Sequence, residues 1–503
     1  MTSSDEEAPQ SLSQKLSKYF KLRVMFQVLT ESDIRYFISA GAVGFFLAIL
    51  FDIACGPGRK LEALHPFPII LIWWFMLFYL SCLEGVQAAL VALTPIDPKI
   101  YEKSHPITYM CTTLCFKGNT LDKFIIGRQF LVIFVVFMIG FCTGYDGDRL
   151  VDNPLGVPDG FRDSLIKLGF VGALTTIVIG QLISQVVASK CNIDYLNYRF
   201  QYYAVIGVCL FMEFTGLMHA VYMVQKFVVA LRGTDEAKRK QVENQGNPIF
   251  FWVRVLFSTA VLGLCVAVVF DSLFRGATGF ADVFSSLPNW LGVIFFILLC
   301  TVVHCTEGLQ VALFAMQKMD PEEFKVHAGA EANGAVAFAG NNLQCFLIGR
   351  QALTAMSMFV LSTICGVQAN LTKEVEFTNS TGTFTKEEGY TILGLGTGIS
   401  TAFLETGLSG AVVLTIMASL SGQVIASAFP LGFCGFPGMW IVLYACLLTE
   451  FIGLTHFAWP LADGVQALMG NLMQNDEVYL GGKHAGAIHQ DKLAPDDGGP
   501  ENA

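Results

Sequence analysis

Residues 67–93 read FPIILIWWFMLFYLSCLEGVQAALVAL, an apolar run carrying one charge, Glu84. About 20 apolar residues suffice to cross a bilayer as a helix. This run is continuously apolar, without the alternation a barrel strand requires. Working outward, comparable blocks cover roughly 34–53, 124–143, 165–189, 201–231, 252–272, 289–316, 346–368, 393–428 and 437–459. With 67–93 they make ten. Of the 503 residues, 53% are hydrophobic and 14% charged, whereas soluble domains carry about 25% charged residues. The expected fold is all-α: a polytopic membrane helix bundle of about ten transmembrane helices, with membrane lipids as its surroundings.

The net charge of −10 is dispersed through loops and tails, so the basic patch that nucleic acid needs is missing. The 14 cysteines lie mostly inside apolar blocks, as with Cys142, Cys209, Cys265 and Cys300. They read as packing residues, not a disulfide framework. Cys111 and Cys115 form a C-x3-C pair with no second pair, and no metal site is expected there. No P-loop run supports ATP-driven pumping, and no paired Asn-Pro-Ala boxes or Thr-Val-Gly-Tyr-Gly filter suggest a water or potassium pore. The polar first 33 residues hold no signal-peptide core. Within them, 15–29 (KLSKYFKLRVMFQVL) fits a basic helix on the inner membrane face or a solvated cytosolic helix.

Glu84 belongs to a pattern that occurs twice. Glu84-Gly85-Val86-Gln87 ends the second block and Glu307-Gly308-Leu309-Gln310 the seventh. Gly127-Arg128-Gln129 opens the third, and Gly349-Arg350-Gln351 the eighth. Gly180-Gln181 lies late in the fourth, Gly422-Gln423 late in the ninth. Glu213 and His219 fall in the fifth, Glu450 and His456 in the tenth, each pair within Glu-Phe-x-Gly-Leu-x-His. Asp52 and Asp271 close the first and sixth. The order never changes, so the chain reads as a duplication of two five-helix units. The expected layout is a cytosolic segment 1–33, a first membrane repeat 34–231, a basic linker 232–251, a second repeat 252–470 and a polar tail 471–503.

An odd number of crossings per unit inverts the second copy, as in many secondary transporters. Loop charge disagrees. The N-terminal segment (Lys15, Lys18, Lys21, Arg23), the 94–123 loop (Lys99, Lys103, Lys117, Lys123) and the 232–254 loop (Arg232, Lys238, Arg239, Lys240) are all basic, and basic loops belong in the cytosol. Ten crossings put the last of these outside. They also put inside the acidic 369–390 loop, whose sequons at Asn370 and Asn379 suit an outer face. An extra crossing in each half would reconcile the charges. The expectation kept is ten spans in inverted repeats.

An ionised side chain in the bilayer centre costs about 2.5–3.5 kcal/mol or more. Glu84, Arg128, Glu307 and Arg350, at matched places in apolar blocks, have two readings: Glu84 pairs with Arg128 and Glu307 with Arg350 to fix helix packing, or the four line a polar pathway; two matched pairs with glutamines attached favour the pathway. Glu84 and Gln87, at i and i+3, share a helix face, as do Glu307 and Gln310. Gly85 and Gly308 allow close approach. The arginines add a fork of donors; Gln129 and Gln351 add amides. This set suits a small, neutral, hydroxyl-rich solute. Glu213/His219 and Glu450/His456 are candidates for coupling or for helix contacts, with Gln181 and Gln423 in support. No motif locates a sodium site.

Paired EG-x-Q and GRQ motifs in a ten-span chain resemble the silicon (silicic acid) transporters of diatoms and related silicifying algae, over roughly residues 34–470. The matching positions are Glu84, Gly85, Gln87, Gly127, Arg128, Gln129, Glu307, Gly308, Gln310, Gly349, Arg350 and Gln351. The resemblance implies sodium-coupled uptake of orthosilicic acid at the plasma membrane, with further roles at internal vesicle membranes, no cofactor beyond the coupling ion, and no enzymatic activity. The long C-terminal coiled coil of many members is missing from 471–503, so no oligomeric state carries over. A passive channel and a membrane-embedded Glu/His enzyme are the rival readings.

Overall fold

The computed structural model describes residues 33–55, 65–144, 169–232, 248–366, 371–390 and 407–473, apart from positions 95, 285, 318, 320, 325, 326, 380 and 381. The 15–29 segment, Asn370 and residues 474–503 lie outside the described residues.

The first half runs α1 (Asp33–Cys55), α2 (Pro66–Leu93), α3 (Pro106–Cys115), α4 (Thr120–Cys142), α5 (Phe170–Lys190), α6 (Asn192–Leu196), α7 (Gln201–Phe214) and α8 (Val221–Arg232). The second half runs α9 (Pro248–Arg275), α10 (Trp290–Met316), α11 (Ala328–Ala337), α12 (Asn342–Cys365), α13 (Leu408–Ala428), α14 (Pro430–Cys434), α15 (Met439–Ile452) and α16 (Ala458–Met469). A two-stranded antiparallel hairpin, Leu371–Asn379 with Gly382–Tyr390, follows α12.

The local sequence explains the main boundaries. Pro66 and Pro68 open α2, where a missing N–H costs nothing, and the His65 ring accepts from Phe67 N at 3.3 Å. Pro106 opens α3 in the same way. Both α5 and α13 contain a π-helical stretch, Thr176–Leu182 and Leu414–Leu420. Such widened turns gather at functional sites.

Among the described residues, eight helices are long and apolar enough to cross a membrane: α1, α2, α4, α5, α9, α10, α12 and α13. Of the ten expected blocks, two do not form single helices of spanning length. The 201–231 block is two helices, α7 and α8, and 437–459 divides between α15 and α16. The break has a backbone cause: Gly216 (φ +82°) and Gly453 (φ +80°) sit in the left-handed region that ends a helix. Apolar composition does not reveal it. At 1.5 Å per residue α7 and α15 reach about 21 Å, short of the ~30 Å hydrocarbon core.

The halves meet along α4 and α12. Gly140 lies against Ser362 and Phe359, Gly172 against Phe359, and Gly410 against Phe137 and Cys365. The C-terminal ends of α4 and α12 therefore touch. A second seam is reciprocal. Ser39 on α1 donates to Leu454 O at 2.5 Å and accepts from Phe457 N at 3.0 Å. Ser258 on α9 donates to Leu217 O at 2.6 Å and accepts from Ala220 N at 2.8 Å. The first helix of each half thus holds the broken turn of the other, supplying partners to backbone groups the helix end leaves unpaired.

Candidate functional site

Helices α2 and α4 run antiparallel around α3, which brings Glu84 beside Arg128. Arg128 Nη1 donates to Glu84 Oε1 at 3.2 Å and Nη2 to Gln129 Oε1 at 2.7 Å. Glu84 Oε2 accepts from Gln185 Nε2 of α5 at 2.8 Å. The second half repeats the arrangement: Arg350 Nη1 to Glu307 Oε1 at 2.8 Å, Arg350 Nη2 to Gln351 Oε1 at 2.5 Å, and Gln423 Nε2 to Glu307 Oε2 at 2.9 Å. All four charges are buried. A buried ion pair holds when its remaining donors and acceptors are also satisfied. Here both carboxylate oxygens are engaged, and only Arg128 Nε and Arg350 Nε remain without a partner.

Gln185 was not anticipated. The sequence match set Gly180-Gln181 beside Gly422-Gln423, whereas the bond to the glutamate comes from Gln185. The frame of the repeat explains this: α13 begins 238 residues after α5, and α14 follows α6 at the same interval. Gln185 stands at that interval from Gln423. Gln181 instead matches Ser419, each in a π-helical stretch, and Gln181 Oε1 and Ser419 Oγ are both buried without a partner.

Gln87 and Gln310 are half-buried and make no hydrogen bond among the described residues. They lie one helical turn beyond Glu84 and Glu307, on the same face. The glutamate, arginine and third-helix glutamine form a brace, and beside it Gln87 and Gln310 are amides with no bond to any described residue. Gly85 and Gly308 serve packing: a Cβ at Gly85 would strike the Tyr195 ring, and one at Gly308 the Phe433 ring and Gly422 O. Gly127 and Gly349 let α4 and α12 press on the backbones of α7 and α15 at Cys209 O and Cys446 O.

The Glu–His pairs form separate clusters at the broken turns. His219 Nε2 lies 3.5 Å from Glu213 Oε1, and His456 Nε2 lies 3.5 Å from Glu450 Oε1. Their arginine neighbours come from the opposite half. Arg254 on α9 donates to Glu213 O at 2.6 Å and lies 3.8 Å from its Oε1. Arg35 on α1 stacks 5.2 Å from the Phe451 ring centroid and packs on Gly453. Sequence reading missed both arginines. Their matched positions near the starts of α1 and α9 were the available signal.

Among the described residues, no three His, Cys, Asp or Glu side chains group as metal ligands do. The Cys111 and Cys115 thiols on α3 are fully buried, and burial pushes both up to about 12. They are packing residues, not thiolate ligands.

Residues 27–499 match a family model described as silicon transporter. No curated protein and no solved structure matches the chain.

Proposed function

The chain belongs to the silicon transporter family, and on that premise we propose that it carries orthosilicic acid across the plasma membrane as a sodium-coupled secondary transporter. The observation that carries this reading is the doubled brace with its free amides. Glu84–Arg128–Gln185 and Glu307–Arg350–Gln423 are bonded across three helices, and Gln87 and Gln310 lie one helical turn from their glutamates. Orthosilicic acid is a small neutral molecule with four hydroxyls, each both donor and acceptor. A primary amide also donates and accepts, so Gln87 and Gln310 match that chemistry without demanding a charge. The arginines act as braces: their Nη groups bond to the neighbouring glutamate and glutamine.

The two halves run in the same direction on this reading, each with four crossings and a short helix, α7 or α15, that starts and ends on one face. The contact of the α4 and α12 C-terminal ends at Gly140 and Ser362 favours it, because an inverted pair puts those ends on opposite faces. The seams of Ser39 with Leu454 and Ser258 with Leu217 favour it as well, by placing the starts of α1 and α9 on one side. Loop charge then agrees. The basic N-terminal, 94–119 and 232–247 segments all fall on the cytosolic side, and the 371–390 hairpin falls outside. A twofold relation along the membrane normal is an established repeat geometry. Alternating access then rocks the halves about the α4–α12 seam.

The test is silicic acid uptake by the purified chain in vesicles, with and without an inward sodium gradient. Uptake that rises with the gradient supports coupling; equal uptake in both conditions makes the chain a passive channel.

A further inference from the structure

The two broken turns are built alike but differ at one position. In the second half, a cavity of about 20 Å3 lies between the halves, lined by Glu450, Thr455, His456, Ala458 and Trp459 and closed by Leu182, Val186 and Ile348. That volume holds one water-sized body. Thr455 is 3% exposed and its Oγ1 has no partner. Glu450 is 5% exposed. In the first half, Met218 occupies the place of Thr455, 1% exposed, and offers no oxygen. Met218 precedes His219 as Thr455 precedes His456.

We infer that this cavity is a binding site for one small monovalent cation, held by the Glu450 carboxylate, the Thr455 hydroxyl and the C-terminal end of α15. It deepens the coupled-transport reading above by giving the coupling ion a place. The donors are hard oxygens, which suit alkali cations. The end of α15 adds the negative pole of a helix dipole, and broken-helix C-termini are where secondary transporters hold sodium. The carboxylate supplies the charge that offsets dehydration of the ion. The Gly453 N–H bonds back to Glu450 O at 2.9 Å, so the helix ends here and the turn can carry Thr455 over the carboxylate. The cavity walls come from α5 of the first half and from α12, α15 and α16 of the second, so occupancy is sensitive to how the halves sit together. Because Met218 stands where Thr455 does, the described residues hold one such site beside two Glu–Arg–Gln braces.

The experiment is thermal unfolding of the purified full-length chain in detergent, titrated with sodium chloride against potassium chloride at constant ionic strength. Sodium is expected to raise Tm with single-site saturation, and potassium to do so much less. Thr455→Val, which removes the hydroxyl at nearly constant volume, is expected to raise the sodium half-saturation about tenfold, equivalent to ~1.4 kcal/mol. Thr455→Ser is expected to keep the response, and Thr455→Met to lose it. Identical sodium and potassium curves for the unsubstituted chain overturn the inference, as does a Thr455→Val curve equal to the original. A sodium-dependent Tm together with sodium-independent silicic acid uptake leaves the site standing and removes the coupling proposed above.

Discussion

Gln185 donates an amide N–H to Glu84 at 2.8 Å, from a helix 101 residues away in the chain. With Arg128 on the other oxygen, both carboxylate oxygens are engaged, and the group ties α2, α4 and α5 together. Gln423 does the same for Glu307 at 2.9 Å.

Gln185→Ala leaves a buried carboxylate oxygen without its donor, which costs about 1–3 kcal/mol. The expected result is a lower Tm and reduced uptake. Gln181→Ala removes an oxygen that has no partner in the structure, so its effect on both is smaller. Thermal unfolding and uptake of the two variants side by side give the check, and the reverse ranking contradicts the assignment.

Glu84→Ala strands the Arg128 guanidinium in a buried site, a loss of about 3–5 kcal/mol. Removing both partners avoids the stranded charge, so Glu84→Ala with Arg128→Ala is expected to cost less than the two single changes added together. A double-mutant cycle on Tm in detergent measures this. Strict additivity means that the pair is not coupled. The Glu307–Arg350 cycle is expected to match it.

The proposed parallel arrangement of the halves predicts the exposure of three loops. Cysteines placed singly at Glu102 and Lys240 in a cysteine-free background are expected to resist an impermeant thiol reagent in intact cells and to react after permeabilisation. One placed at Glu387, on the hairpin, is expected to react from outside. Reaction at position 240 from outside restores an inverted repeat.

Burial holds the thiols of Cys111 and Cys115 at about 12, above the ordinary free thiol at about 8.5. Thiolate forms only as pH approaches that raised value, so maleimide labelling of these two is expected to stay negligible between about pH 7 and 9. Cys55, which is exposed, labels in the same sample. Mass spectrometry of the labelled chain reads both outcomes, and labelling of Cys111 or Cys115 that climbs through this range overturns the burial argument.

The Glu84–Arg128 and Glu307–Arg350 pairs were legible in the sequence because opposite charges in apolar blocks must find each other, and short loops limit where they look. Gln185 was not: Gly180-Gln181 resembles Gly422-Gln423 in letters but lies four residues, about one helical turn, out of register. Spacing outranks local identity here. Glu213 and Glu450 are 237 residues apart, and only Gln185, not Gln181, keeps nearly that spacing to Gln423. The helix breaks at Gly216 and Gly453 were hidden because every residue around them is acceptable in an apolar span; only the positive φ reveals the turn. Reading each of these stretches as a full span gives ten crossings and an inverted copy; reading each as a short helix followed by a turn gives the parallel halves proposed above.

The central claim is that Gln87 and Gln310, beside the two braces, handle the solute. The most direct measurement is silicic acid uptake by the Gln87→Ala/Gln310→Ala double variant in vesicles, with Tm recorded on the same preparation. Neither amide bonds to another described residue, so Tm is expected to stay within about 2 °C of the original, while uptake falls at least about tenfold, ~1.4 kcal/mol in the transport step. Uptake equal to that of the unsubstituted chain, at unchanged Tm, contradicts the claim.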